Sequence, residues 1–170
     1  MGNRFLVPNP VQSGMTLLST TTLSGSSVTI SNIPPIYKSL IGYVTNLLPA
    51  DDATFLYIRA NSDSNTNYLL PAASADAQTV NVNRWTVSPA SDNAVATAGF
   101  GVFEIFDYAN TTHWKLMKSS FVTNNQTTTT NLNFRFQHGI WNQTTAISSL
   151  QLLMSAGNLT SGTLLLYGVN

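Results

Sequence analysis

Apolar and polar positions alternate with a period of two along most of this chain, and that period belongs to strands. Leu132, Phe134, Phe136 and His138 alternate with Asn133, Arg135 and Gln137, which reads as a strand with one buried face and places His138 on its apolar side. Leu150, Leu152 and Met154 alternate with Gln151 and Leu153, whereas the run 163–169 is continuous enough in Leu, Tyr and Val to be covered on both faces. Ser155-Ala156-Gly157-Asn158 separates these two runs, so residues 147–169 read as a β-hairpin. Gly162 and Gly168 bracket its second strand, where glycine supplies a positive φ or room for a neighbouring backbone; Gly168 is the stronger candidate.

Read the same way, the chain gives strands at 15–20, 26–33, 39–48, 54–60, 79–87, 100–108, 114–123, 132–140, 147–154 and 163–169, with no competing helix. Many short strands without helices between them predict an all-β fold, an antiparallel β-sandwich with a jelly roll as the leading topology. Pro34-Pro35 breaks the chain after one strand, and residues 48–52 turn it after the next. Residues 88–98 read as a loop, and 123–131, TNNQTTTTN, as an exposed tip. Residues 15–170 fit a single sandwich domain. Residues 1–14, broken by Pro8, Pro10 and Gly14, read as an extended N-terminal arm. Its Phe5, Leu6, Val7 and Val11, with Arg4 as the one charge, are expected to be buried against a neighbouring subunit or a particle surface.

Composition narrows the partners. Charged residues make up only 8% of the chain and seven basic residues cancel seven acidic ones, so no field steers it to nucleic acid or to an anionic membrane. A net charge near zero suits packing beside copies of itself. With no cysteine there is no disulfide framework, thiolate zinc site or thiol nucleophile. No run of about 18 apolar residues reads as a membrane span, and no h-region reads as a secretion signal. The Asn-x-Thr sequons at Asn110, Asn125, Asn142 and Asn158 follow from a Thr- and Asn-rich composition.

Little of the sequence suggests chemistry. Asp63-Ser64-Asn65-Thr66-Asn67 matches half of a calcium loop, but Tyr68 stands where that loop needs glycine and Ser74 where it needs glutamate. An Asx-stabilised turn is the preferred reading, and no metal or other cofactor is assigned. Asp51 and Asp52 read as a solvated turn. Asp107 and His113 make a triad on paper with any of many serines, without a G-x-S-x-G elbow. The expectation is a protein without catalytic residues. Trp85, Trp114 and Trp141 are the candidates for stacking on sugar rings, against a core or interface role.

The ending I..L.L..S.GN..SGT..LYG[IV], read from Ile147 to Val169, resembles the C-terminus of small structural proteins of tailed bacteriophages, those of virion, decoration and tail-fibre type. Residues 28–40, VTISNIPPIYKSL, are similar to that family's opening, and residues 56–68, LYIRANSDSNTNY, to its middle. The resemblance spans residues 28–170 and brings no catalytic motif. It implies a structural component of the virion, made in the host cytoplasm. Such a protein would assemble as a homo-oligomer, a trimer among the options, on other virion proteins such as the major capsid protein, as a decoration or cement protein or a fibre component. The alternative is a carbohydrate-binding module of a tail fibre that recognises a host surface glycan.

Overall fold

The structure, a computed structural model, describes residues 14–71, 80–94, 96, 98–124 and 132–170. The arm residues Arg4, Phe5, Leu6, Val7 and Val11 lie outside the described residues, as do Ser74 and most of the 123–131 tip.

Among the described residues, twelve strands form two antiparallel sheets packed face to face, a β-sandwich. The large sheet runs in the order β1 (Met15–Thr22), β12 (Leu159–Val169), β3 (Ser39–Pro49), β8 (Gly99–Phe106), β9 (Lys115–Asn124), β10 (Leu132–Trp141), β5 (Tyr68–Leu70) and β6 (Val80–Val82). The small sheet is β2 (Val28–Ile30), β11 (Leu150–Met154), β4 (Leu56–Ala60) and β7 (Trp85–Thr86). Each of the ten predicted strands contains or overlaps an observed one. The 79–87 prediction splits into β6 and β7, and β5 is additional, contributed by residues that the sequence offers only as the end of a turn.

The predicted C-terminal hairpin is corrected. β11 pairs with β2 and β4 in the small sheet, while β12 pairs with β1 and β3 in the large one. Residues 155–158 therefore form an arch from one sheet to the other. Both segments have one side wholly in the core: Leu150 and Leu152 of β11 face Leu164 and Leu166 of β12 across a common interior, all four at 0% exposure. Two strands that must cover each other face to face cannot also be hydrogen-bonded edge to edge.

The glycines that bracket β12 differ in their reasons. Gly162 has φ +145°, within a bulge of the β12–β3 ladder, where a side chain would be strained. Gly168 has no positive φ; the ring of Tyr37 lies directly where its Cβ would stand. A tight approach is the reason at Gly168, and the approaching group is an aromatic side chain where a backbone was expected.

Candidate functional site

The inner face of the large sheet is apolar through β12, β3 and β8, but changes character at β9 and β10. There the chain segment that follows β7 packs beneath the sheet with a single bridge, Ser91 to Thr54, and its other carbonyl groups need donors. Ser119 Oγ donates to Val87 O (3.2 Å), Thr123 Oγ1 to Ala90 O (2.5 Å) and Asn133 Nδ2 to Ala90 O (3.4 Å). Polar residues of β9 and β10 are thus drawn inward. Because a strand's side chains alternate, the apolar residues of β10 are sent outward.

This reverses the expectation for β10. Gln137 is buried and Asn133 and Arg135 are half-buried, while Leu132, Phe134 and Phe136 are 70%, 65% and 71% exposed. His138 goes outward with them and is exposed, not in the core.

Neighbouring strands add to that outer face row by row. Phe134 stands opposite Val122, which stands opposite Phe100. The next row is Phe136, Ser120, Val102, Tyr43 and Leu165. It is followed by His138, Lys118, Glu104, Ile41, Tyr167 and Leu17, and then by Leu69, Ile140, Leu116 and Phe106. Phe100, Leu116, Leu17 and Tyr43 are 59%, 51%, 50% and 41% exposed. The two formal charges in these rows pair with each other: Lys118 Nζ lies 2.7 Å from Glu104 Oε2 and 5.0 Å from the Phe106 ring centroid. Beside this pair a shallow groove of about 330 Å³ is lined by Ile41, Tyr43, Val102, Phe136 and His138. Phe134 and Phe136 pack ring to ring at 5.9 Å, as do Tyr43 and Tyr167. A broad apolar sheet face of this kind has one chemical capacity, which is to be covered.

The tryptophans do not form a platform. Trp85 and Trp141 are 0% and 3% exposed and belong to the core; Tyr68 stacks on Trp141 at 6.4 Å and meets Trp85 edge-on at 5.3 Å. Neither offers a face to a sugar, which corrects their assignment as stacking residues. Trp114, just before β9, is 53% exposed.

Asp63 is committed to the Asx turn. Its Oδ1 accepts from the backbone N–H and Nδ2 of Asn65, and its Oδ2 from Asn67 Nδ2 and Trp141 Nε1, all at 2.8–2.9 Å. Burial alone would raise this carboxyl's pKa, but the bonds from Asn67, Trp141 and Asn65 together hold it below its ordinary value. Asp51 and Asp52 are exposed in a turn, where Asp52 Oδ1 accepts from the Ala53 N–H. Asp107 and His113 are both exposed in the connection between β8 and β9.

The chain matches no known family model and no curated protein at a significant level.

Proposed function

We propose that this chain is a non-enzymatic structural protein of a tailed-bacteriophage virion, and that it works by associating with its own copies and with other virion proteins through the outer face of the large sheet. The observation that carries the reading is the run of exposed Phe, Tyr and Leu on β8, β9, β10 and β3, interrupted by a single internally paired Lys–Glu couple. The eighteen residues of those four rows, each covering about 4.8 Å by about 6.8 Å of sheet, give roughly 600 Å². A stable interface takes about 800 Å² from each partner. These rows therefore supply most of one full contact, and their aromatic content is what the centre of such contacts uses.

On this reading the interleaved strands β1, β2, β3, β4, β7, β8, β11 and β12 form a jelly roll, and the pairs β5–β6 and β9–β10 are insertions that widen one sheet to carry the contact face. The sequence resemblance to phage virion proteins supplies the setting, a decoration or cement protein of the head or a component of a fibre. Sedimentation of the purified chain should give a discrete oligomer that survives about 1 M salt, since screening leaves apolar contact intact. Imaging of particles made with and without the gene should then show a density that disappears with it. Monomers at every usable concentration, together with unchanged particles, would end the proposal.

A further inference from the structure

On the opposite side of the sandwich, the outer face of the small sheet and its β7 edge carry Arg59 and Arg84, and the inward side of β10 sends Arg135 toward Phe55 and Tyr57, so that three of the chain's seven basic residues lie around β4. The geometry points to an oxyanion-binding site, for a phosphate or carboxylate group, formed by Arg59, Arg84 and Arg135 around the phenol of Tyr57.

Arg84 is laid over the Tyr57 ring, with Cζ 4.3 Å from the centroid and one terminal nitrogen 3.3 Å from the hydroxyl oxygen. Asn83 holds two of the arginines in place: its side-chain oxygen accepts from Arg84 at 2.7 Å, and its carbonyl accepts from Arg59 Nε at 3.1 Å. Arg135 arrives from β10 past the edge strand β7, lies 5.5 Å from the Phe55 ring centroid and couples electrostatically to Tyr57. Its nearest polar contact is a long one of 3.5 Å to Gln137 Oε1.

A guanidinium carries five N–H donors, and these contacts occupy one or two on each residue, all with neutral acceptors. Among the described residues the one ion pair is Lys118–Glu104, and no described carboxylate pairs with any of the three arginines. Arg84 Nε is buried without a partner. All three residues are half-buried, and burial pushes the Arg135 guanidinium below its usual pKa. Positive charges drawn together, partly stripped of water and fixed by an amide clamp and aromatic faces, are held ready for a planar or tetrahedral anion, which guanidinium forks bind bidentately. The Tyr57 hydroxyl, accepting from Arg84, keeps its own proton to donate to the same anion.

The intact protein is titrated at low ionic strength with inorganic phosphate and, separately, with glucuronate, while the arginine side-chain N–H resonances are followed. Saturable shifts confined to Arg59, Arg84 and Arg135 are expected. A response to phosphate alone assigns a phosphate group; a response to glucuronate as well extends the site to sugar acids. Arg84→Gln and Arg135→Gln should each lower affinity about tenfold, the scale of one charge-assisted contact. Tyr57→Phe should lower it a few-fold, and Lys38→Gln, which removes the same charge elsewhere, should leave it unchanged. Thermal melts of each variant establish that it is folded. Shifts that fail to saturate, that chloride reproduces equally, or that persist at full affinity in folded Arg84→Gln would overturn the assignment.

Discussion

Replacing Phe134 and Phe136 together by serine separates folding from association. Both rings project from β10 away from the core, at 65% and 71% exposure, so the isolated subunit loses little when they go. Surface changes of this kind alter stability by about 0.5 kcal/mol or less. Association is another matter. A phenylalanine buries on the order of 200 Å², of which some two thirds is still free here, roughly 130 Å² per ring. At about 25 cal/mol per Å², covering each ring contributes about 3 kcal/mol, or about 6 kcal/mol for the two rings of one subunit. Ordering of side chains and imperfect fit reduce that figure, and taking half leaves about 3 kcal/mol, more than a hundredfold in dissociation constant. Sedimentation velocity across a concentration series should show the variant as a monomer where the parent chain is assembled, with melting curves that differ by no more than a few degrees. A double variant that assembles as tightly as the parent would remove β10 from the interface. One that unfolds would show that the rings are buried within the subunit.

Gly168→Ala should lower stability by about 1–3 kcal/mol in urea titrations, because its new methyl group and the Tyr37 ring cannot share one space; an unchanged midpoint would show that Tyr37 moves aside freely. Asp63→Ala should cost about 1–3 kcal/mol by leaving Trp141 Nε1 and Asn67 without their acceptor. Since the Asp63 pKa is lowered on folding, its contribution is complete above the ordinary value of 3.8 and is lost as pH falls through the folded value below it. Tryptophan fluorescence should therefore report steeper destabilisation below pH 3.8 in the parent chain than in the variant. Removing residues 1–12 should leave the melting transition intact and weaken association; a truncated chain that associates as tightly as the full one would make the arm a passive tail.

The strands were legible because alternation is a local property, and Leu150, Leu152 and Met154 declare a buried face however the rest of the chain is arranged. Alternation says which side of a strand is apolar and not which side is inside. In β10 that distinction is set by Val87 and Ala90, more than forty residues away, whose unpaired carbonyls draw Ser119, Thr123 and Asn133 inward. The hairpin failed for a similar reason, since a short polar break between two apolar runs fits a turn within one sheet and an arch between two equally well. Trp85 and Trp141 take the core role that stood against sugar stacking, and a tryptophan among Asn and Asp residues leaves that choice open because the same neighbours can satisfy it in the core, as Asp63 does for Trp141. No linear motif could have disclosed the arginine site, whose members are brought together by β4, the approach to β7 and the edge of β10.

The pairing of β1 with β12 sets Met15 opposite Val169, residues 154 positions apart along the chain. Closing a chain loop of roughly 150 residues costs about 4–5 kcal/mol of entropy before the first of those contacts repays it. Folding of this sandwich is therefore slow, on the millisecond-to-second scale of non-local β topologies. The pairing of β9 with β10 is local in sequence, whereas β3 meets β12 only across more than a hundred residues. Newly made subunits thus pass through a window in which sticky sheet faces and open strand edges coexist, and the yield of native assembly is governed by how dilute the chains are while it lasts.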